Sequence, residues 1–130
     1  MATGERLATK HDFARALDAG AAAILQMNLG RVGGILEAKK IAGMAEAHYA
    51  QIAPHLYCGP IVGAANIQLA TCSPNFLILE GSCADGFHAR FCASRCAGKR
   101  AVIPPTAPGL GVELNEEVAA ASVPRQPLTS

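Results

Sequence analysis

The feature that most constrains this chain is an alternation of two kinds of segment. Three short apolar runs, AAAILQMN (21–28), QIAPH (51–55) and FLILE (76–80), are separated by two longer segments of helical character, with brief joints. Runs of this length and flanking suit buried parallel strands. Strand–helix–strand repetition with short connections implies an α/β fold, in which right-handed crossovers set successive parallel strands side by side. In barrels and open sheets of this class the strand C-terminal ends carry the chemistry. Here those ends read Gln26 with Asn28, then His55, then Glu80. Consecutive strands therefore deliver polar groups to one rim.

The intervening segments carry their own signals. Thr9 to Ala19 reads as a short helix in which Thr9 is the N-cap and Asp12, three residues on, completes a capping box with Asp in place of Glu. Gly20 suits its C-terminal stop. Residues Leu29 to Gly34 (LGRVGG) read as a turn, and Gly33 to Tyr49 as the clearest helix. In that helix Ile35, Ala38, Ala42, Ala45 and Tyr49 form an apolar stripe, with Glu37, Lys39, Lys40 and Glu46 mostly outside it. Gly59 to Cys72 reads as a second, more apolar helix, with Pro60 tolerated in its first turn. After Gly81 the repetition stops. Residues 82–101 show no period, 103–114 are stiffened by Pro and Gly, Glu113 to Ala121 suits a short helix, and PRQPLTS reads as a tail. The expected division is a barrel-like unit over 1–81 and an extension over 82–130.

Composition excludes several classes of function. Hydrophobic residues make up 51% and charged residues 16%, which marks a core-forming chain. A net charge of +1 gives no electrostatic footprint for nucleic acid or an anionic membrane. The local cluster Arg90, Arg95, Lys99 and Arg100 reads as a solvated loop. No apolar run approaches the ~20 residues of a membrane span. The N-terminal MATGERLATKHDF lacks the apolar region of a secretory signal, and the five cysteines are an odd number; a reducing compartment and a cytoplasmic location are expected. Cys83, His88, Cys92 and Cys96 could suggest zinc, but their spacing lacks the paired CxxC ligands of structural sites. Gly30, Gly33 and Gly34 make neither GxGxxG nor a Walker A loop, so a tight strand-to-helix turn is the expectation.

Several motifs, taken in order, resemble one family. ATGERL, GRVGGI, AEAHYAQIAPH, GPIVGAANIQLATCSPNFLILE and IPPTAPGLGVELNEEV are similar to the mandelate racemase/muconate lactonizing enzyme branch of the enolase superfamily. Within it they look most like acid-sugar dehydratases of the galactonate dehydratase type. The resemblance covers nearly the whole chain and is weakest over Arg90 to Arg100. It implies an α+β capping domain and a (β/α)7β barrel, of which this chain corresponds to the tip of the fifth strand through the eighth, plus a C-terminal extension. A TIM-type barrel takes about 250 residues, so an incomplete barrel is expected. Left by itself it would expose strand edges and apolar faces and be poorly stable or self-associating, as a homo-oligomer or with a missing N-terminal half.

The resemblance also implies a chemistry. Family members remove a proton next to a carboxylate and stabilise the enediolate with Mg²⁺, a hard Lewis acid that wants oxygen ligands. By motif, Glu5 in ATGERL matches the third of three carboxylate ligands, and the other two are expected upstream of Met1. His55 matches the seventh-strand general acid or base. Glu80 matches the eighth-strand glutamate, which could hydrogen-bond the substrate carboxylate or enediolate. Asn28 stands where the family usually has Asp, and Met27 where it usually has Pro. An asparagine brings no charge to the histidine, and its NH₂ could face the ring and favour the other tautomer. Three readings stay open at this point: a Mg²⁺-dependent sugar-acid dehydratase, a racemase or cycloisomerase on the same scaffold, and a non-catalytic truncated remnant.

Overall fold

The computed structural model describes residues 1–80 and 103–122. The chain order is β1 (Ala2–Thr3), α1 (Lys10–Asp18), β2 (Ile24–Leu25), α2 (Leu29–Val32), α3 (Ile35–Ala47), β3 (Gln51–Ile52), α4 (Pro60–Thr71) and α5 (Glu116–Ser122). The strands form one parallel sheet in the order β1-β2-β3, with Ala2 opposite Ile24 and Ile24 opposite Gln51. This is the α/β arrangement that the alternating pattern implies. The candidate zinc residues, the basic cluster around Arg95 and the terminal PRQPLTS lie outside the described residues.

Helix α1 begins where local chemistry sets it. The Thr9 hydroxyl accepts from the Asp12 N–H, and the Asp12 carboxylate accepts from the Thr9 N–H and hydroxyl. The Thr9 hydrogen bonds hold the Asp12 carboxyl below its ordinary range. Phe13 and Leu17, one turn apart, face inward and are buried. In α3 the buried positions are Ala38, Ile41, Ala42 and Ala45. Three of these four are alanines, which lets the helix lie close to its neighbours. The stripe differs from the sequence expectation at both ends. Ile35 lies half-exposed at the helix start, and Tyr49 falls beyond the helix at φ 55°, with its side chain in solvent. Ile41 takes the inward place instead.

Two further expectations change. Residues 29–34, read as a turn, hold the four-residue helix α2, because Asn28 caps it by accepting from the Gly30 N–H. The strands are shorter than the apolar runs that announce them. In the run 76–80, only Phe76 bridges Ile52; the pairing then continues as single bonds, Leu77 N–H to Ile52 O and Glu80 N–H to Pro54 O. The described residues pair this run on one side only, and Leu77 and Ile78 remain exposed. Asn75 ties its start to the preceding unit by donating to the carbonyls of Ala42 and Ala50, each at 3.0 Å.

The core lies between the sheet and α1, α2 and α3. Phe13, Leu25, Met27, Leu29, Ile41 and Ile52 are its largest fully enclosed apolar side chains, and Leu69 joins them from α4. Gly4, at φ +134°, closes the end of β1: a β-carbon there would lie 2.7 Å from the Phe13 ring, so a side chain does not fit. Outside this core, the 103–114 segment reaches α4 through Gln68, whose amide donates to the Leu110 carbonyl.

Candidate active site

Each strand ends by handing its next polar residue to the same rim. The turn after β1 carries Glu5, the segment after β2 carries Asn28, the residues after β3 carry His55, and the fourth run ends at Glu80. The parallel register makes this inevitable. The His55 N–H donates to the Met27 carbonyl on one side, and the Glu80 N–H donates to the Pro54 carbonyl on the other. Neighbouring strand ends are therefore held level by backbone hydrogen bonds.

The side chains converge on the imidazole of His55, which is 16% exposed. Its Nε2 lies 3.4 Å from a Glu5 carboxylate oxygen and 3.8 Å from a Glu80 oxygen. Its Nδ1 lies 3.1 Å from the Asn28 Nδ2. Glu5 and Glu80 are about half-exposed, whereas Asn28 is buried, at 3%. One edge of the ring is thus held by a buried amide, and the other lies beside two half-exposed carboxylates. The structure brings together all four residues named from the sequence. Gln26, also named at the second strand end, lies half-buried, and its N–H donates to the Thr3 carbonyl.

Further residues shape the site without having been singled out. The Cys58 thiol donates to the Asn28 Oδ1 at 3.2 Å, and the Leu56 N–H donates to Glu80 at 3.3 Å. Asn66, fully buried in α4, donates to the His55 carbonyl at 3.4 Å. The Tyr57 ring stacks near His55, with centroids 6.3 Å apart. Asn66 did leave a trace in the sequence: an amide inside the apolar helix GPIVGAANIQLA demands a partner if it is buried. Cys58 left none.

A hard divalent cation needs near-octahedral oxygen coordination. Among the described residues, no group of three or more His, Cys, Asp or Glu side chains could hold a metal ion. Glu5 contributes a single carboxylate next to an imidazole. These residues do not by themselves make a Mg²⁺ site.

Comparison with known proteins gives consistent results. A family model described as enolase C-terminal domain-like matches residues 1–118. A D-galactonate dehydratase from Ralstonia nicotianae is 40% identical over 126 residues, which span 89% of this chain and 32% of that protein. Among solved structures, a candidate mandelate racemase/muconate lactonizing enzyme from Labrenzia alexandrii DFL-11 is 66% identical with a TM-score of 0.87, covering 92% of this chain and 31% of that one. A mandelate racemase/muconate lactonizing enzyme from Sulfitobacter sp. is 55% identical with a TM-score of 0.87, covering 92% and 30%. The chain therefore spans about a third of the length of the relatives it matches.

Proposed function

The chain belongs to the enolase C-terminal domain-like family, as a part of its TIM-type barrel, and from that premise we propose that it serves the dehydration of a sugar acid. In this reading the α-proton leaves, the hydroxyl on the next carbon departs as water, and the resulting enol becomes a 2-keto acid. The observation that carries the reading is the convergence of four strand ends on one histidine, with a carboxylate on each side of its Nε2. Such a rim suits a substrate with a carboxylate at one end and hydroxyls beside it.

In this reading each residue takes a role that the geometry supports. His55 meets the departing oxygen through Nε2, the ring atom beside the two carboxylates. Glu80, anchored by the Leu56 N–H, stands beside the carboxylate end of the substrate, where the enediolate forms. Glu5 is the one hard-oxygen donor this chain would contribute to a Mg²⁺ site, completed by carboxylates outside these 130 residues; bound there, the metal would supply Lewis-acid stabilisation. A similarity of 40% to a galactonate dehydratase favours an aldonic acid as substrate. The free thiols of Cys58 and Cys72 fit a reducing compartment.

A chimera tests the proposal. Residues 1–118 replace the matching third of the Ralstonia relative, and the product is offered a panel of sugar acids in D₂O. Release of a 2-keto acid, abolished by His55→Asn, is the expected result. A folded chimera that exchanges the α-proton without losing water would replace dehydration by racemisation. One that does neither would overturn the assignment to this chemistry.

A further inference from the structure

The carboxamide of Asn28 is engaged at both ends, and its orientation follows from the backbone. Its oxygen lies 2.9 Å from the Gly30 nitrogen, as the N-cap of α2. A backbone N–H only donates, so the atom facing it is Oδ1. The Cys58 thiol also directs its proton to that oxygen. The other end of the same amide, Nδ2, then faces the His55 Nδ1 at 3.1 Å. An NH₂ group only donates, so Nδ1 must accept, and the single proton of a neutral imidazole sits on Nε2. Reversing the amide would set NH₂ against the Gly30 N–H, inside a site where Asn28 is 3% exposed. Leaving a buried donor facing a donor is costly.

We infer that Asn28 is a positioning residue that holds neutral His55 as its Nε2–H tautomer, so that the ring meets substrate as a hydrogen-bond donor and not as a proton acceptor. Nε2 lies 3.4 Å from a Glu5 oxygen and 3.8 Å from a Glu80 oxygen, so neither fixes the tautomer and the Asn28 contact decides it. A neutral imidazole presented this way polarises an oxygen on the substrate. It is not equipped to take a proton from carbon at Nε2, and a neutral ring only hydrogen-bonds a leaving hydroxyl, whose proton must come from another acid. This consequence for substrate rests on the proposed sugar-acid chemistry; the tautomer itself does not.

The test is made on the full 130-residue chain with ¹⁵N-labelled histidine over a pH series, reading the form that carries one ring proton. His55→Gln identifies the His55 signals among the four histidines. Proton–nitrogen correlation then reports which ring nitrogen bears the proton, in solution or by magic-angle spinning if the chain assembles. The expected wild-type result is at least about a tenfold excess of the Nε2–H form, because the other tautomer exchanges a made hydrogen bond for opposed donors. Asn28→Asp keeps an oxygen for the helix cap and turns an acceptor toward the ring, so it moves a proton onto Nδ1. Asn28→Ser preserves a good N-cap but is too short to reach His55, and the bias relaxes toward that of a free imidazole. A wild-type proton on Nδ1, or a wild-type tautomer ratio retained in both variants, overturns the inference. Neither outcome bears on whether the chimera turns over sugar acids.

Discussion

The two ends of the sheet contrast sharply. On the β1–β2 side, α1 and α3 cover the strands, and Phe13, Leu25 and Ile41 beneath them have no exposure. On the far side the run 76–80 pairs along one edge, and Ile78 is 62% exposed. Both regions are strand-like and similarly apolar in sequence. What differs is the presence of a covering layer. A strand of a parallel barrel is finished only when its neighbour on each side and its helix are in place.

The largest effect expected from this contrast concerns assembly. The isolated chain should self-associate through its unfinished edge, raising its apparent mass with concentration in sedimentation or size-exclusion experiments. A concentration-independent monomer with a cooperative melt above about 45 °C, the lower end of the range for mesophilic domains, would show that the edge is sealed some other way. Substitutions should then sort by region. Phe13→Ala empties an enclosed site and should cost about 3–5 kcal/mol, whereas Ile78→Ala should stay within about 0.5 kcal/mol. Denaturant titration of both variants checks this, and equal losses would erase the distinction between the two sides.

A smaller effect concerns the sealed side's outer surface. Hydrogen bonds from Lys10 first, then Lys40, lower the Glu37 carboxyl from its ordinary 4.5 to about 2. Lys10 belongs to α1 and Glu37 to α3, so this pair clasps the two covering helices. A carboxyl lowered by folding contributes stability above its unfolded value, and that contribution is lost as pH falls from about 4.5 toward 2. The pair is solvent-screened, so the effect should be modest. Glu37→Gln should flatten the acid limb of a stability–pH curve, and an unchanged limb would remove the clasp from the account.

Legibility in the sequence followed the range of the interactions. The Thr9–Asp12 box was readable because both partners lie within one turn. The strand ends Asn28, His55 and Glu80 were readable because period and punctuation place them, whatever the rest of the fold does. β1 was expected only through the resemblance, as the tip of a fifth strand, because two residues, Ala2 and Thr3, carry no periodic signal. Helix α2 escaped because glycines 30, 33 and 34 read as a turn, and because its cap depends on an amide whose other end serves His55. Cys58 escaped because its partner lies 30 positions away. The orientation of the Asn28 amide was open in sequence, and only the Gly30 N–H decides it.

The level alignment of strand ends has a consequence in time. The contacts that make the site join residues 27, 30 and 24 positions apart, across separate crossovers. Helices α1 and α3 can form early from local signals, but no subset of them contains any part of the rim. Non-local pairings of this kind come late on a folding route, after loop closure has been met. A partly folded chain therefore lacks the rim, and the histidine acquires its surroundings only with the last strands to dock.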